Sequence, residues 1–269
     1  NSSSNPKPER SSTTHAMIPD YGPTYDSEAL FSPMESVSST EGVPELPPAV
    51  IFGVQDILHE AAQDIGTPID PVTQRPFEYQ ALSDSVGFVP VQQIGVGAPV
   101  AAIATEKVIA AGAECVVMLG GSAALQPDFS PDAALLPTRA VRDEGASYHY
   151  LPPDKTLCPT PELLNGLGET FSEHGVETHR GPTWTTSALF RETIPQLEHY
   201  RREGFVSLGM ETSAIWAVCR YRGVDTATVH GIDGYGLPGE QVPTEALTRR
   251  LPALLDPTVE ALEAHVERG

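Results

Sequence analysis

Positive charge is scarce in this chain of 269 residues. Lysine and arginine together number 16, against 36 aspartate and glutamate residues, which gives a formal net charge of -20. The only lysines are Lys7, Lys107 and Lys155. Because such a surface repels the phosphate backbone of nucleic acids, we expect no nucleic-acid partner. A dense acidic coat with few lysines is typical of a high-salt cytoplasm, where salt screens the self-repulsion; an ordinary acidic enzyme is the alternative.

Cysteine and long apolar runs are also lacking. Cys115, Cys158 and Cys219 are odd in number and far apart, which predicts reduced, buried residues in an intracellular protein. No apolar run is long enough to span a bilayer, and no charged-then-apolar segment opens the sequence. We therefore expect a cytoplasmic location and no membrane partner.

The sequence lacks the familiar signatures of cofactor and metal chemistry. It contains no Walker loop, no HExxH, no GxSxG and no Cys/His zinc spacing. The segment GVGAP, which begins at Gly95, has neither the third glycine nor the later ribose-binding acid of a dinucleotide site. We therefore predict chemistry without a cofactor and without a metal.

Three regions differ in composition. Residues 1–16 are rich in Ser, Thr and Pro, which predicts a flexible N-terminal extension. Residues 17–48 remain Pro-rich but carry side chains such as Tyr21, Tyr25 and Phe31, which indicates an arm that lies on its own subunit or on a neighbour. Residues 49–269 have a globular pattern and are predicted to form one domain.

Short β-branched runs alternate with helix-like stretches in this domain. The predicted strands are 49–54, 86–97, 115–120, 204–210 and 226–232. The predicted helices are 99–111, 161–174, 192–203, 211–222 and, interrupted near Pro257, 244–268. Nearly every strand is apolar on both faces, so the sequence predicts an α/β domain with helices on both sides of a sheet.

Three segments stand in an order that is more specific than any one of them. They are QQIGVGAPVAAIATEKVIAAGAECVVMLGGSAALQPD (92–128), AVRDEGASYHYLPPD (140–154) and GMETSAIWAVCRYRGV (209–224). In this order they resemble the nucleoside phosphorylase family, which includes uridine and purine nucleoside phosphorylases and related nucleosidases. The resemblance implies a single three-layer α/β domain, with a central mixed, partly barrel-like sheet flanked by helices, and assembly into dimers, trimers or hexamers. It also implies cleavage of a nucleoside by phosphate to give free base and ribose 1-phosphate.

The resemblance assigns the ribose grip to a Met-Glu pair before a helix, here Met210 and Glu211. Cleavage of an N-ribosidic bond passes through a cationic sugar, which must be held in place. An ionised Glu accepts two hydroxyl protons, while the Met lays a polarisable face against the sugar. The alternative is that Glu211 is only a first-turn acid favoured by the helix dipole.

Base recognition is expected in the segment GPTWTTSALFRET. Trp184 can stack on the base, with Thr185, Thr186 or Arg191 bonded to its edge; a Trp in the core and an Arg in solvent are the alternatives. The purine-cleaving branch of the family has a general-acid Asp after its penultimate strand, and Asp233 matches it if a one-residue gap is allowed. Whether the substrate is uridine or a purine nucleoside stays open.

The nucleophile subsite departs most from the family pattern. Phosphorylases place an arginine and a Thr or Ser where this chain has Met118 and Gly121, and a second arginine where it has Ile57 or Leu58. Without the two guanidinium groups, the desolvation of a bound dianion is uncompensated. The candidate subsite residues are Gly53, Asp56, Gly97, Gly120, Gly121 and Ser122.

Three functions follow from this departure. The first is a phosphorylase whose phosphate is held by other cations and by the amides of residues 120–122. The nominated cations are Arg75, Arg139, Arg142 and Arg180. The second is a nucleoside hydrolase, because an uncharged subsite suits a water that Asp56 or Glu60 orients. The third is a binding or assembly protein without turnover. The rest of the chain matches phosphorylases best, so we prefer the first, with phosphate as co-substrate.

Overall fold

The computed structural model describes residues 21–37, 45–69, 79–236 and 244–268. The strands are Ala49–Gly53 (β1), Thr67–Ile69 (β2), Tyr79–Ala81 (β3), Val86–Pro90 (β4), Cys115–Ala124 (β5), Ala134–Asp143 (β6), Thr178–Thr186 (β7), Ser207–Gly209 (β8) and Asp225–Tyr235 (β9). The helices are Pro33–Val37 (α1), Asp56–Ile65 (α2), Val91–Ile94 (α3), Ala98–Ala110 (α4), Pro161–Glu173 (α5), Ile194–Arg202 (α6), Thr212–Arg222 (α7), Thr244–Thr248 (α8) and Leu255–Val266 (α9). Short 3₁₀ turns span Gly22–Asp26, Ala146–His149, Leu189–Arg191 and Leu251–Leu254.

The described strands form a mixed sheet in the order β2-β3-β4-β1-β5-β8-β7-β6-β9. Strand β9 also pairs with β5 along its length, so β5, β8, β7, β6 and β9 close into a barrel. Strands β4, β1, β5 and β9 are parallel neighbours, and their carboxyl ends meet at one edge, where sheets of this kind bind ligands. The predicted α/β domain with a partly barrel-like sheet is confirmed.

Helices cover both faces of this sheet. Every residue of β1 and β4 is buried. Ile51 belongs to the core cluster formed with α2, α5 and α9, whereas its neighbour Phe52 belongs to the cluster formed with α4 and α7. Because successive side chains of a strand point to opposite faces, a strand covered on both sides must be apolar throughout.

The structure corrects several predicted elements. Strands β6 and β7 were not predicted, because they contain Pro and Arg and are buried only in part. Helix α2 was not predicted either. The strand predicted over 86–97 ends at Pro90, where the helical turn α3 begins. The C-terminal helix is interrupted between α8 and α9 rather than at Pro257, which lies in the first turn of α9, where the missing N–H costs no hydrogen bond.

The described part of the arm packs on its own subunit. The ring of Tyr21 stacks on His149 with 4.8 Å between ring centroids, and the Tyr25 hydroxyl donates to the carbonyl of Tyr148 over 3.1 Å. The Tyr221 hydroxyl on α7 donates to the Tyr25 carbonyl. Residues 1–20 and 38–44 lie outside the described residues, so the flexible extension and the bounds of the arm stay predictions.

The cysteines follow the prediction in part. Cys115 and Cys219 are buried, but Cys158 is exposed. Burial raises the pKa of the Cys219 thiol to about 12, so this thiol stays protonated at neutral pH. In the described ranges, no helix combines the length and the apolar character that crossing a bilayer requires.

Candidate active site

Glu211 lies two residues after β8, at the N-cap position of α7. Its side chain is buried, and both carboxylate oxygens are held by backbone groups: Oε1 accepts the N–H of Gly97 over 2.8 Å and Oε2 accepts the N–H of Met210 over 3.1 Å. Each oxygen keeps lone-pair capacity for a further donor. A carboxylate fixed in this way is suited to accept two vicinal hydroxyl groups.

The loop between α3 and α4 contains Gly97, whose backbone N–H donates to Oε1 of Glu211. Gly97 has φ of 93°, a conformation that residues with a side chain rarely adopt. A Cβ at this position would lie 4.0 Å from the Cε of Met210, so the loop, the methionine and the carboxylate pack together. The two segments GVGAP and GMETS, far apart in sequence, thus meet at one place.

A β-bulge in β9 places the side chain of Asp233 beside Gln55 and Gly121. Strand β9 pairs Ile232 with Ser122 and Gly234 with Ala123, so Asp233 is the extra residue. A bulge re-aims a side chain and is frequent beside active sites.

Burial raises the pKa values of both Glu211 and Asp233. Burial raises the pKa of Glu211 above 4.5, and Asp233 raises it further, while the two backbone N–H donors act in the opposite direction. Burial likewise raises the pKa of Asp233 above 3.8, against hydrogen bonds from its own backbone and from Gln55. A carboxyl group that retains its proton at higher pH is suited to protonate a leaving group.

Gln55, which sequence reasoning missed, joins Asp233 to Gly121 of β5. Its Nε2 donates to Oδ2 of Asp233 over 3.1 Å, and its Oε1 accepts the N–H of Gly121 over 2.6 Å. Gln55 immediately precedes α2, after β1, the strand beside β5. A polar residue that follows a parallel strand was the available signal. We refer to Gln55, Gly97, Gly121, Met210, Glu211 and Asp233 as the Glu211 cluster.

Comparison with known proteins identifies the family. The sequence profile described as "Phosphorylase superfamily" matches residues 48–252, well over half of the chain. The chain belongs to the phosphorylase superfamily.

Relatives within the superfamily are distant. Guanosine phosphorylase from Halorubrum lacusprofundi is 26% identical over 147 residues, which cover 55% of this chain and 61% of that protein, less than two thirds of its length. Uridine phosphorylase from Escherichia coli is 24% identical over 199 residues, 68% of this chain and 78% of that protein.

Solved structures share the fold of this phosphorylase-superfamily protein. Uridine phosphorylase from Vibrio fischeri ES114 aligns with a TM-score of 0.70 and 20% identity, covering 81% of this chain and 92% of that one. AMP nucleosidase from Bacteroides thetaiotaomicron VPI-5482 aligns with a TM-score of 0.67 and 19% identity, covering 83% and 90%. At these identities the likeness concerns the fold alone.

The positions where the family resemblance implies arginines, Met118 and either Ile57 or Leu58, hold apolar side chains in this superfamily member. Met118 is 1% exposed, and its sulfur accepts a hydrogen bond from the Thr212 hydroxyl of α7 over 3.7 Å. Leu58 is fully buried in the apolar core cluster, and Ile57 is partly buried against the same cluster. Neither position supplies charge or a hydrogen-bond donor to an anion.

The other arginine nominees are engaged elsewhere. The guanidinium of Arg139 lies over the Phe205 ring, 5.7 Å from its centroid. Arg142 donates to the Ser147 hydroxyl and to carbonyl groups between residues 151 and 155, and Arg180 hydrogen-bonds to α5. Arg75 lies outside the described residues. Of the four nominees, the three described ones therefore do not join the Glu211 cluster.

The predicted base-binding residues divide between the site and the core. Trp184 is 1% exposed; its ring packs on Tyr200, and its Nε1 donates to Asp143, so the structure places it in the core. Thr185, the next residue, faces the other way, and its Oγ1 accepts the N–H of Ser213 in the first turn of α7.

Two further base candidates lie farther along the same segment. The Oγ1 of Thr186 accepts the N–H of Ala188, which shapes the loop after β7. Arg191 is exposed at the end of a 3₁₀ turn. Thr185 is therefore the base candidate that the structure brings nearest to Glu211, because it pairs with Gly209 on β8.

The remaining subsite candidates, Gly53, Gly120 and Ser122, lie on strands β1 and β5. A Cβ on Gly53 would collide with the Phe88 ring, and one on Gly120 would collide with Val54, so these two glycines serve packing. The Ser122 hydroxyl donates to the Gly231 carbonyl at 3.5 Å.

Asp56 is exposed and is the first residue of α2. It lines a polar groove of 740 Å³ together with His59, Glu60, Gln63, Gln92, Gln93 and Val96.

A buried histidine, His230, lies inside the barrel and was also missed by sequence reasoning. Its ring nitrogens contact the Ser207 hydroxyl at 2.9 Å and the Thr212 hydroxyl at 3.3 Å. Complete burial lowers its pKa to about 3, so the ring is neutral at physiological pH. In the described part of the chain, no group of three or more His, Cys, Asp and Glu residues is arranged to hold a metal ion, and chemistry without a metal or cofactor stays a prediction.

Proposed function

We propose that this protein cleaves the N-ribosidic bond of a nucleoside, uridine or a purine nucleoside, with phosphate as the acceptor. The observation that carries the proposal is Glu211, a buried carboxylate fixed by the N–H groups of Gly97 and Met210 and lying close to a second carboxyl group, Asp233. The relationship to uridine and guanosine phosphorylases supports phosphate as the acceptor.

Each residue has a defined task in this reaction. Glu211 accepts the vicinal ribose hydroxyls and holds C1′ in place while the sugar becomes cationic. Asp233 donates its proton to the departing base. As the C1′–N bond breaks, an oxygen of phosphate forms a bond to C1′, so the products are free base and ribose 1-phosphate.

Hydrolysis is the second candidate. It is favoured by apolar residues at the expected arginine positions, Met118 and either Ile57 or Leu58, and by the carboxamide of Gln55 at the Gly121 N–H. In this case water attacks C1′, and the sugar product is free ribose.

The expected setting is a high-salt cytoplasm and a homo-oligomer. The net charge of -20 supports the first. Side chains such as Phe31, Val96, Ile103 and Phe190 are more than half exposed, which supports burial against other subunits.

The test is an assay of base release from uridine, guanosine, inosine and adenosine in concentrated KCl, with and without phosphate. We expect phosphate-dependent release accompanied by ribose 1-phosphate. Phosphate-independent release with free ribose selects hydrolysis. Release from none of these nucleosides would contradict both enzymatic functions and favour a binding protein.

A further inference from the structure

Strand β5 has a gap in its pairing, a slot in the sheet, beside Gly120, Gly121 and Ser122. On one side, β5 pairs with β9 through residues 120–122. On the other side, the ladder with β1 ends at Leu119 and the ladder with β8 begins at Ala123. The Gly121 N–H therefore has no strand partner on this side, and buried backbone N–H groups require a partner.

The carboxamide of Gln55 fills this slot. It accepts the Gly121 N–H at one end over 2.6 Å and donates to Asp233 at the other over 3.1 Å. The fit is close, because a Cβ on Gly121 would lie 2.5 Å from the Gln55 Nε2 and would also collide with the Asp233 carboxylate. Only glycine lets the carboxamide approach the strand this closely.

An anion that enters the slot meets unfavourable charge. Asp233 borders the slot, and Glu211 is near enough for Asp233 to raise its pKa. No arginine or lysine of the described residues hydrogen-bonds or pairs with Gln55, Asp233 or Glu211. A phosphate oxygen therefore gains the Gly121 N–H only by displacing the oxygen of Gln55.

We propose that Gln55 sets the affinity of this site for phosphate, because its side-chain oxygen occupies the hydrogen-bonding position at Gly121 that a phosphate oxygen would take. This proposal rests on the proposed function for its choice of phosphate. Gln55 is thus an internal competitor of the acceptor, and its neutral carboxamide bridges Asp233 to the strand when no phosphate is bound.

Calorimetric titration with inorganic phosphate, in KCl and without nucleoside, tests the proposal. Gln55→Ala frees the Gly121 N–H, so the dissociation constant for phosphate should fall about tenfold, the ratio that one net hydrogen bond provides. Gln55→Glu keeps the shape and the acceptor oxygen but adds a negative charge, so phosphate binding should be lost. Gln93→Ala removes a nearby carboxamide that bonds His59 instead, and it should leave the dissociation constant unchanged.

Opposite effects of the two Gln55 variants support the proposal. A dissociation constant for Gln55→Ala equal to or above that of the wild type overturns it, as does phosphate binding that is absent from both proteins. Failure of the proposed function is seen separately, in the absence of phosphate-dependent base release by the wild type. A wild type that hydrolyses nucleosides, together with a Gln55→Ala variant that gains phosphate binding, would contradict only the proposed acceptor.

Discussion

The backbone N–H of Gly97 donates to the Glu211 carboxylate over 2.8 Å, across a sequence separation of 114 residues. This bond joins the loop that precedes α4 to the N-terminus of α7. Because the position of the carboxylate depends on it, the geometry of the loop controls the geometry of the ribose grip.

Gly97→Ala should therefore impair catalysis as well as stability. A side chain at φ of 93° is strained, and relief of the strain moves the N–H away from Glu211. The matched control is Gly112→Ala at the end of α4, where φ is 102° and a Cβ would meet no atom within 4 Å. Both changes should lower the free energy of unfolding by about 1 to 3 kcal/mol. Only Gly97→Ala should lower kcat/KM of the folded enzyme. Equal kcat/KM values for the two variants would show that the Gly97 loop does not control the position of Glu211.

Glu211→Gln should lower kcat/KM for nucleosides by about a thousandfold, because two charge-assisted hydrogen bonds of about 2 kcal/mol each are weakened. The new amide nitrogen also cannot accept the Met210 N–H. Glu106→Gln is the control, since Glu106 is a partly buried acid that pairs with Arg222 away from the site. Near wild-type turnover by the Glu211 variant, measured as base release, would show that the sugar binds elsewhere.

Asp233→Asn tests proton donation. Base release from a nucleoside should fall by about a hundredfold to ten-thousandfold, the usual contribution of a general acid. Cleavage of 4-nitrophenyl riboside should change little, because its leaving group departs as a stable anion. An equal loss on both substrates would argue against the acid role.

The pH dependence of turnover by the wild type also tests proton donation by Asp233. A general acid must be protonated, so turnover should decline as the pH rises through the pKa of Asp233, which burial raises above 3.8. This limb should be absent from the residual activity of Asp233→Asn. A limb of the same midpoint in both proteins would assign it to another group.

His230 should make the fold sensitive to acid. Its pKa of about 3 in the folded protein lies below the ordinary 6.5. Between these two pH values the unfolded chain therefore binds a proton at His230 that the folded chain does not bind. The corresponding stability is complete above pH 6.5 and falls by about 1.4 kcal/mol per pH unit as the pH drops toward 3. Urea unfolding at pH 7 and pH 5 should show a smaller loss for His230→Gln than for the wild type. His174→Gln, at an exposed pair with Glu260, should retain the wild-type loss; equal losses in all three proteins would refute the buried neutral histidine.

Residues that mark the ends of helices allowed several helices to be predicted from the sequence. The helices predicted over 161–174 and 211–222 correspond to α5 and α7, because a proline at the start of α5 and Gly223 in a left-handed conformation after α7 mark their ends. Strands β6 and β7 gave no comparable signal. They are barrel strands with Pro137, Arg139 and Arg180 among their residues, and their pairing with distant strands decides their conformation.

The candidate site was predictable only where residue type and order were distinctive. Met210, Glu211 and Asp233 stand out in the sequence and lie in one cluster, whereas Trp184 does not, because its place on the opposite side of β7 from Thr185 depends on strand register. Gln55 was missed for a similar reason. Its two hydrogen-bond partners lie 66 and 178 residues away, and no local pattern brings them together.

The ribose position tests the central claim most directly. A crystal structure of the Asp233→Asn variant, soaked with uridine or guanosine in high salt, should show both vicinal hydroxyl oxygens within about 3 Å of the Glu211 carboxylate, the distance of a charge-assisted hydrogen bond. A sugar bound away from Glu211, with the carboxylate still held only by Gly97 and Met210, would contradict the account.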